Sequence, residues 1–152
     1  MIKIVTTTVE QGKHLMKLGV DPSSCDAVWR NIKEEEYDID FNTVAVEHNL
    51  FSFRNGYIIP AWTLESLMKL LPDEIDAGFK TENGRPIRYF LCIDFPNTFS
   101  YRHDEHEYLI DTKTVPYTLS NVDGKTWTEA AYNMLSSVLE NNNLKKYYNY
   151  KK

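Results

Sequence analysis

The run His103-Asp104-Glu105-His106-Glu107 is where side chains capable of chemistry crowd together. Imidazole and carboxylate in such proximity can ligate zinc or another divalent metal, or divide the roles of acid and base. On a strand, His103 and Glu105 face one side while Asp104 and His106 face the other. In a turn the groups converge. The spacing lacks the HExxH arrangement, which sets both imidazoles on one helical face beside a glutamate base. Two readings follow: a small metal-dependent hydrolase using the cluster from His103 to Glu107, with His103 and His106 as candidate ligands, or a polar connection between strands. The second is the one adopted, so no catalytic residue, metal or cofactor is assigned.

Other chemistry finds less support. Cys25 and Cys92 lie far apart and fit no CxxC or zinc spacing. There is no G-x-S-x-G elbow, and Gly12-Lys13-His14 lacks the leading glycine and following Ser or Thr of a phosphate loop. The acidic run Glu34-Glu35-Glu36, with Asp38 and Asp40 close by, is a candidate surface for a basic partner. Its plainer counterpart is a solvated loop. The net charge of −5 opposes binding to phosphate backbones. Lys145, Lys146, Lys151 and Lys152, interleaved with Tyr147, Tyr148 and Tyr150, suit stacking on single strands, but also a frayed C-terminal tail, which is the reading adopted.

The elements that must position these groups follow from periodicity. Thr8 and Gln11 have capping-box spacing, and Gly19 is placed to end that first helix with a positive φ. Asp21-Pro22 is expected to open a second helix whose buried face is Cys25, Val28, Trp29 and Ile32, making a helical hairpin over 8–33. Residues 41–48 alternate as a strand does, and Asn55-Gly56 marks a hairpin turn. Leu64, Leu67, Met68 and Leu71 share one face of a short helix capped by Thr63 and stopped by Pro72, with Trp62 as a staple. A loop is expected to Asn83-Gly84, then strands at 87–95, 108–112 and 115–119, and a last helix capped by Thr126. The expected fold class is α+β: a small antiparallel sheet packed with about four helices, a single domain over 1–144 and a basic-aromatic tail over 145–152.

Three segments stand out in combination: 12–22 (GKHLMKLGVDP); 60–64 (PAWTL) with Leu70-Leu71-Pro72; and 130–135 (AAYNML) with Leu139-Glu140-Asn141. In this order and spacing the chain resembles small uncharacterised prophage and mobile-element proteins of gut bacteria, over most of residues 7–144. The resemblance implies a phage-associated setting and carries over no catalytic residue. No stretch approaches membrane-spanning length, and Met1-Ile2-Lys3-Ile4-Val5 followed by three threonines is no signal peptide, so a cytoplasmic address is expected. The functional expectation is a non-enzymatic accessory or regulatory protein acting through protein contacts, with a nucleic-acid binder ranked below both this and the metal-dependent hydrolase, no membrane partner expected and the oligomeric state open.

Overall fold

The computed structural model describes residues 5–41, 58–103, 115–141 and 144–145. They fall into two compact units, residues 1–69 and 70–152. The expected hairpin at Asn55-Gly56, the alternation over 42–48, the strand at 108–112 and the tail beyond Lys145 lie outside the described residues.

In the first unit, α1 (Val9–Lys17) starts at Thr8, whose hydroxyl accepts from Gln11 N–H while the Gln11 side chain accepts from Thr8 N–H, completing the expected capping box. Its end is equally explicit. Gly19 takes φ +96°, and Val20 N–H reaches back to the Leu15 carbonyl while Gly19 N–H reaches Met16. A single 3-10 turn, Pro22–Ser24, follows. The chain then runs as β1 (Ala27–Lys33), turns at Glu34-Glu35, and returns as β2 (Glu36–Asp40). With β3 (Ile58–Ala61) these form an antiparallel sheet in the order β2-β1-β3. Helix α2 (Leu64–Leu70) comes next, as the spacing predicts.

Asp26 organises the start of α2. Its carboxylate accepts from Thr63 N–H at 2.9 Å, from the Thr63 hydroxyl, and from the Ser66 hydroxyl at 3.0 Å. Trp62 is fully buried and its indole N–H donates to Ser24 Oγ.

The second unit is a four-stranded antiparallel meander, β4 (Glu74–Lys80), β5 (Pro86–Asp94), β6 (Thr98–His103) and β7 (Thr118–Asp123), in that order. Registers Ile75↔Tyr89, Leu91↔Tyr101 and Ile93↔Phe99 align one face. Helix α3 (Trp127–Glu140) covers it, with Trp127 edge-on to Phe99 and Ala130, Ala131, Met134, Leu135 and Val138 buried. The opposite face carries the ion pairs Arg88–Glu74 and Arg102–Asp94. The Thr126 hydroxyl caps α3 as expected, but the Glu129 carboxylate accepts from Lys125 N–H rather than from the cap residue itself.

Three corrections follow. The fold is not one small sheet packed with about four helices: it has two antiparallel sheets and, among the described residues, three α-helices. The second helix of the expected 8–33 hairpin does not form. Cys25, Val28, Trp29 and Ile32 satisfy a helical period, yet β-branched and aromatic side chains prefer the pleated surface, and Ile32 is 58% exposed, so it was never part of a buried stripe. Residues 74–80, expected as loop, and 36–40, expected as a solvated acidic segment, are both strands. Their acidic alternation is that of sheet edges with one wet face. Among the described residues no helix is long and apolar enough to cross a membrane.

Candidate functional site

The pairing of β1 with β2 sets up the site. Register runs Trp29↔Ile39 and Asn31↔Tyr37, then shifts so that Lys33 faces Glu36. The extra residue, Ile32, sits on β1 just before the turn, and in the turn itself Glu35 adopts φ +61°. Left-handed backbone at this point favours Gly or Asn, and a glutamate there costs about 1 kcal/mol. Directly paired residues of antiparallel strands share a face, so Trp29 and Tyr37 project to the same side of the sheet, that of Ile59 on β3. Helix α1 lies over this side, because Gly12 meets Ile59 and the Pro60 carbonyl.

Between α1 and the hairpin is a cleft of about 560 Å³, lined by Val9, Glu10, Lys13, Trp29, Glu35 and Tyr37. Trp29 is fixed from below: its indole N–H donates to the Thr7 carbonyl at 3.0 Å. Thr7 is itself fully buried and locked to Trp62 by backbone N–H donation at 2.9 Å and by its hydroxyl, which accepts from Trp62 N–H. Lys13 Nζ sits 5.8 Å from the centroid of the Tyr37 ring, within cation–π range. Among the described residues neither Glu10 nor Glu35 makes an ion pair. The walls thus offer two aromatic faces and one carboxylate more than ammonium, a combination that suits a cation with an apolar stem.

No family model, curated protein or solved structure matches the chain. Function therefore rests on the site alone.

Of the acidic candidates, only Glu35 lines the cleft. Glu34 occupies the same turn, and Glu36 opens β2, paired with Lys33 at 3.4 Å. Glu35→Gly is expected to raise stability by about 0.5 kcal/mol in urea unfolding, since relief of the left-handed strain exceeds the extra freedom of glycine in the unfolded chain. The same change removes a carboxylate from the cleft.

His103 ends β6, its imidazole edge-on to Tyr89 at 5.6 Å and to Tyr117 at 5.1 Å. Asp104, Glu105, His106 and Glu107 lie outside the described residues. Among those described, no three His, Cys, Asp or Glu side chains converge as a metal site. Cys92 is half-buried on β5. Cys25 is buried, and burial pushes its thiol up from 9.0 to about 11, so it is protonated at neutral pH.

This shift has a consequence for stability. The unfolded thiol ionises before the folded one, so the unfolded chain binds fewer protons in that interval. Stability is then complete below about pH 9 and falls as pH rises toward about 11. The loss is up to about 1.4 kcal/mol per pH unit. Urea midpoints measured at pH 8 and pH 10.5 should show this decline, and Cys25→Ala should flatten it.

In the second unit the turn between β5 and β6 displays Phe95, 90% exposed. Asn97 braces this turn: its side-chain amide donates to the Lys125 carbonyl, and its own carbonyl accepts from Gly124 N–H. The sequence reading places Phe95 in a strand, Val9 on a helix stripe and Lys13 in a rejected phosphate-loop match, and singles out neither Glu10 nor Tyr37; none of the five is marked there as a binding residue. Trp29 was assigned to a buried helical face, and the helical reading of 21–32 kept it apart from Tyr37. Strong β propensity at Val28-Trp29 before a charged two-residue turn was the available signal.

Proposed function

We propose that this chain is a non-enzymatic accessory protein, in the phage-associated setting its sequence resembles, that works by holding a basic surface of another protein. The observation that carries this reading is the cleft under α1, where Trp29 and Tyr37 stand beside the carboxylates of Glu10 and Glu35, which make no ion pair among the described residues. The overall charge of −5 favours encounter with a basic partner and disfavours nucleic acid. A binding site needs no reactive group, and the walls supply what recognition needs: rigid rings for area and charge for orientation.

The test is capture with the tagged full chain from lysate of its native host, at low and moderate salt, with mass spectrometry of what is retained. Glu10→Gln combined with Glu35→Gln is expected to weaken retention of a stoichiometric partner about tenfold and to flatten its salt dependence, at up to about 1 kcal/mol per exposed carboxylate. Glu34→Gln combined with Glu36→Gln, the same change in charge away from the cleft, should leave retention nearly as it was. Equal losses in the two variants would mean that general acidity, not the cleft, attracts the partner.

A further inference from the structure

Lys13 occupies an odd place for a lysine on α1. Glu10 lies one helical turn before it, the spacing of a helix-surface ion pair, and Glu35 lines the same cleft. Yet the ammonium makes an ion pair with neither; it sits over the Tyr37 ring at 5.8 Å instead. The protein's own structure thus has an alkylammonium on the aromatic wall of the cleft while two carboxylates lining the same cleft make no ion pair among the described residues. The side chain holding that position is exposed and long, and its hold on the ring is weak.

We infer that the cleft accepts a lysine side chain presented by a protein partner, and that Lys13 holds its place in the free protein and must swing aside for it. This inference rests on the reading of the cleft as the recognition site and adds its ligand and its gate. A lysine stem lies along Val9 and Trp29, both half-buried, and its ammonium reaches the Tyr37 face and the carboxylates of Glu10 and Glu35. Lysine is assigned rather than arginine because the cation this ring already carries is a lysine ammonium, Lys13 Nζ at 5.8 Å, with the carboxylates on separate elements, α1 and the β1–β2 turn. A planar guanidinium instead favours one bidentate carboxylate. The incoming ammonium competes with Lys13 for the ring, and the two like charges cannot share it. Removing Lys13 therefore strengthens binding, the opposite of what the loss of a contact residue does.

The test is calorimetric titration of the full chain with the peptide acetyl-Gly-Lys-Gly-amide, the same peptide acetylated on the lysine amine, the arginine analogue, and spermidine as a free polyamine. Lys13→Gln is expected to bind the lysine peptide three- to tenfold more tightly than the native chain. Lys13→Arg, which keeps a cation in place, should bind it as the native chain does. Lys17→Gln makes the same change in net charge further along α1 and should stay within twofold, which separates gating from general electrostatics. The acetylated peptide should show no binding. If the native chain binds the lysine peptide and Lys13→Gln binds it no better, the gate is wrong while the cleft reading stands. Tighter binding of the arginine peptide or of spermidine would overturn the assignment to a protein lysine. No binding of any of these cations to the native chain or to Lys13→Gln would overturn the gate and the cleft reading together.

Discussion

Leu67→Asp is expected to cost about 5 kcal/mol or more and to leave residues 1–69 without a cooperative unfolding transition. Leu67 has no exposed surface and sits mid-way along α2. Truncating a buried leucine alone costs about 2–5 kcal/mol, and aspartate adds the burial of a carboxyl group with no partner. Domains of this size have about 5–15 kcal/mol in total, so the sum reaches the lower end of the whole. Leu67→Met keeps the volume and the apolar character and should lose less than about 1.5 kcal/mol. Glu65→Ala removes only the exposed Glu65–Lys69 pair of the same helix and should change stability by about 0.5 kcal/mol at most. Urea unfolding followed by circular dichroism checks all three. A native midpoint in Leu67→Asp would mean that the buried face of α2 has been wrongly placed.

Gly12→Ala is expected to destabilise the first unit by about 1–3 kcal/mol, against the usual direction for such a change. In the interior of a helix, alanine exceeds glycine by about 1 kcal/mol. Here a Cβ on residue 12 would stand 2.2 Å from the Pro60 carbonyl oxygen and 3.0 Å from Ile59 Cγ2. The near atom is backbone within a strand and cannot turn away, so α1 must lift from β3 or the strand must bend, and overpacking of this kind costs about 1–3 kcal/mol beyond the propensity gain. The same displacement would carry Val9, Glu10 and Lys13 away from Trp29 and Tyr37. Gly12→Ala should therefore weaken binding of a basic ligand as well as stability. An increase in the urea midpoint would show that α1 does not pack against β3 as described.

The elements legible in the sequence were those whose ends were written in side-chain chemistry. Thr8 with Gln11, Gly19, and Thr126 before the α3 stripe each specify a helix terminus locally, and each is where the spacing puts it. The strand at 87–95 was equally clear, because its aromatic and branched residues are contiguous. The stretch from Cys25 to Ile32 was not. Its apolar residues fit both periods, and what decides for a strand is pairing with Ile58–Ala61 and Glu36–Asp40, contacts that lie far along the chain or across a turn. Residues 74–80 alternate Ile75, Ala77 and Phe79 with polar residues and Gly78, but only Ile75 is fully buried, and the short run is fixed as a strand by pairing with β5, where Phe79 packs edge-on to Tyr89. The candidate site was half legible. Glu35 stood out as part of an acidic run, but its role depends on a left-handed turn that gathers it with α1, and only the strand reading brings Trp29 and Tyr37 to the same face.

The central claim is that recognition of a basic partner takes place in the cleft under α1. The most direct test is a map of amide and indole proton–nitrogen shifts on the full, labelled chain as the lysine peptide is added. The account predicts the largest, saturable shifts at the Trp29 indole, which is held by the Thr7 carbonyl, and at the amides of Lys13, Glu35 and Tyr37, with residues around Phe95 unmoved. Shifts centred on the Phe95 turn, or none at the Trp29 indole while the peptide binds, would contradict it.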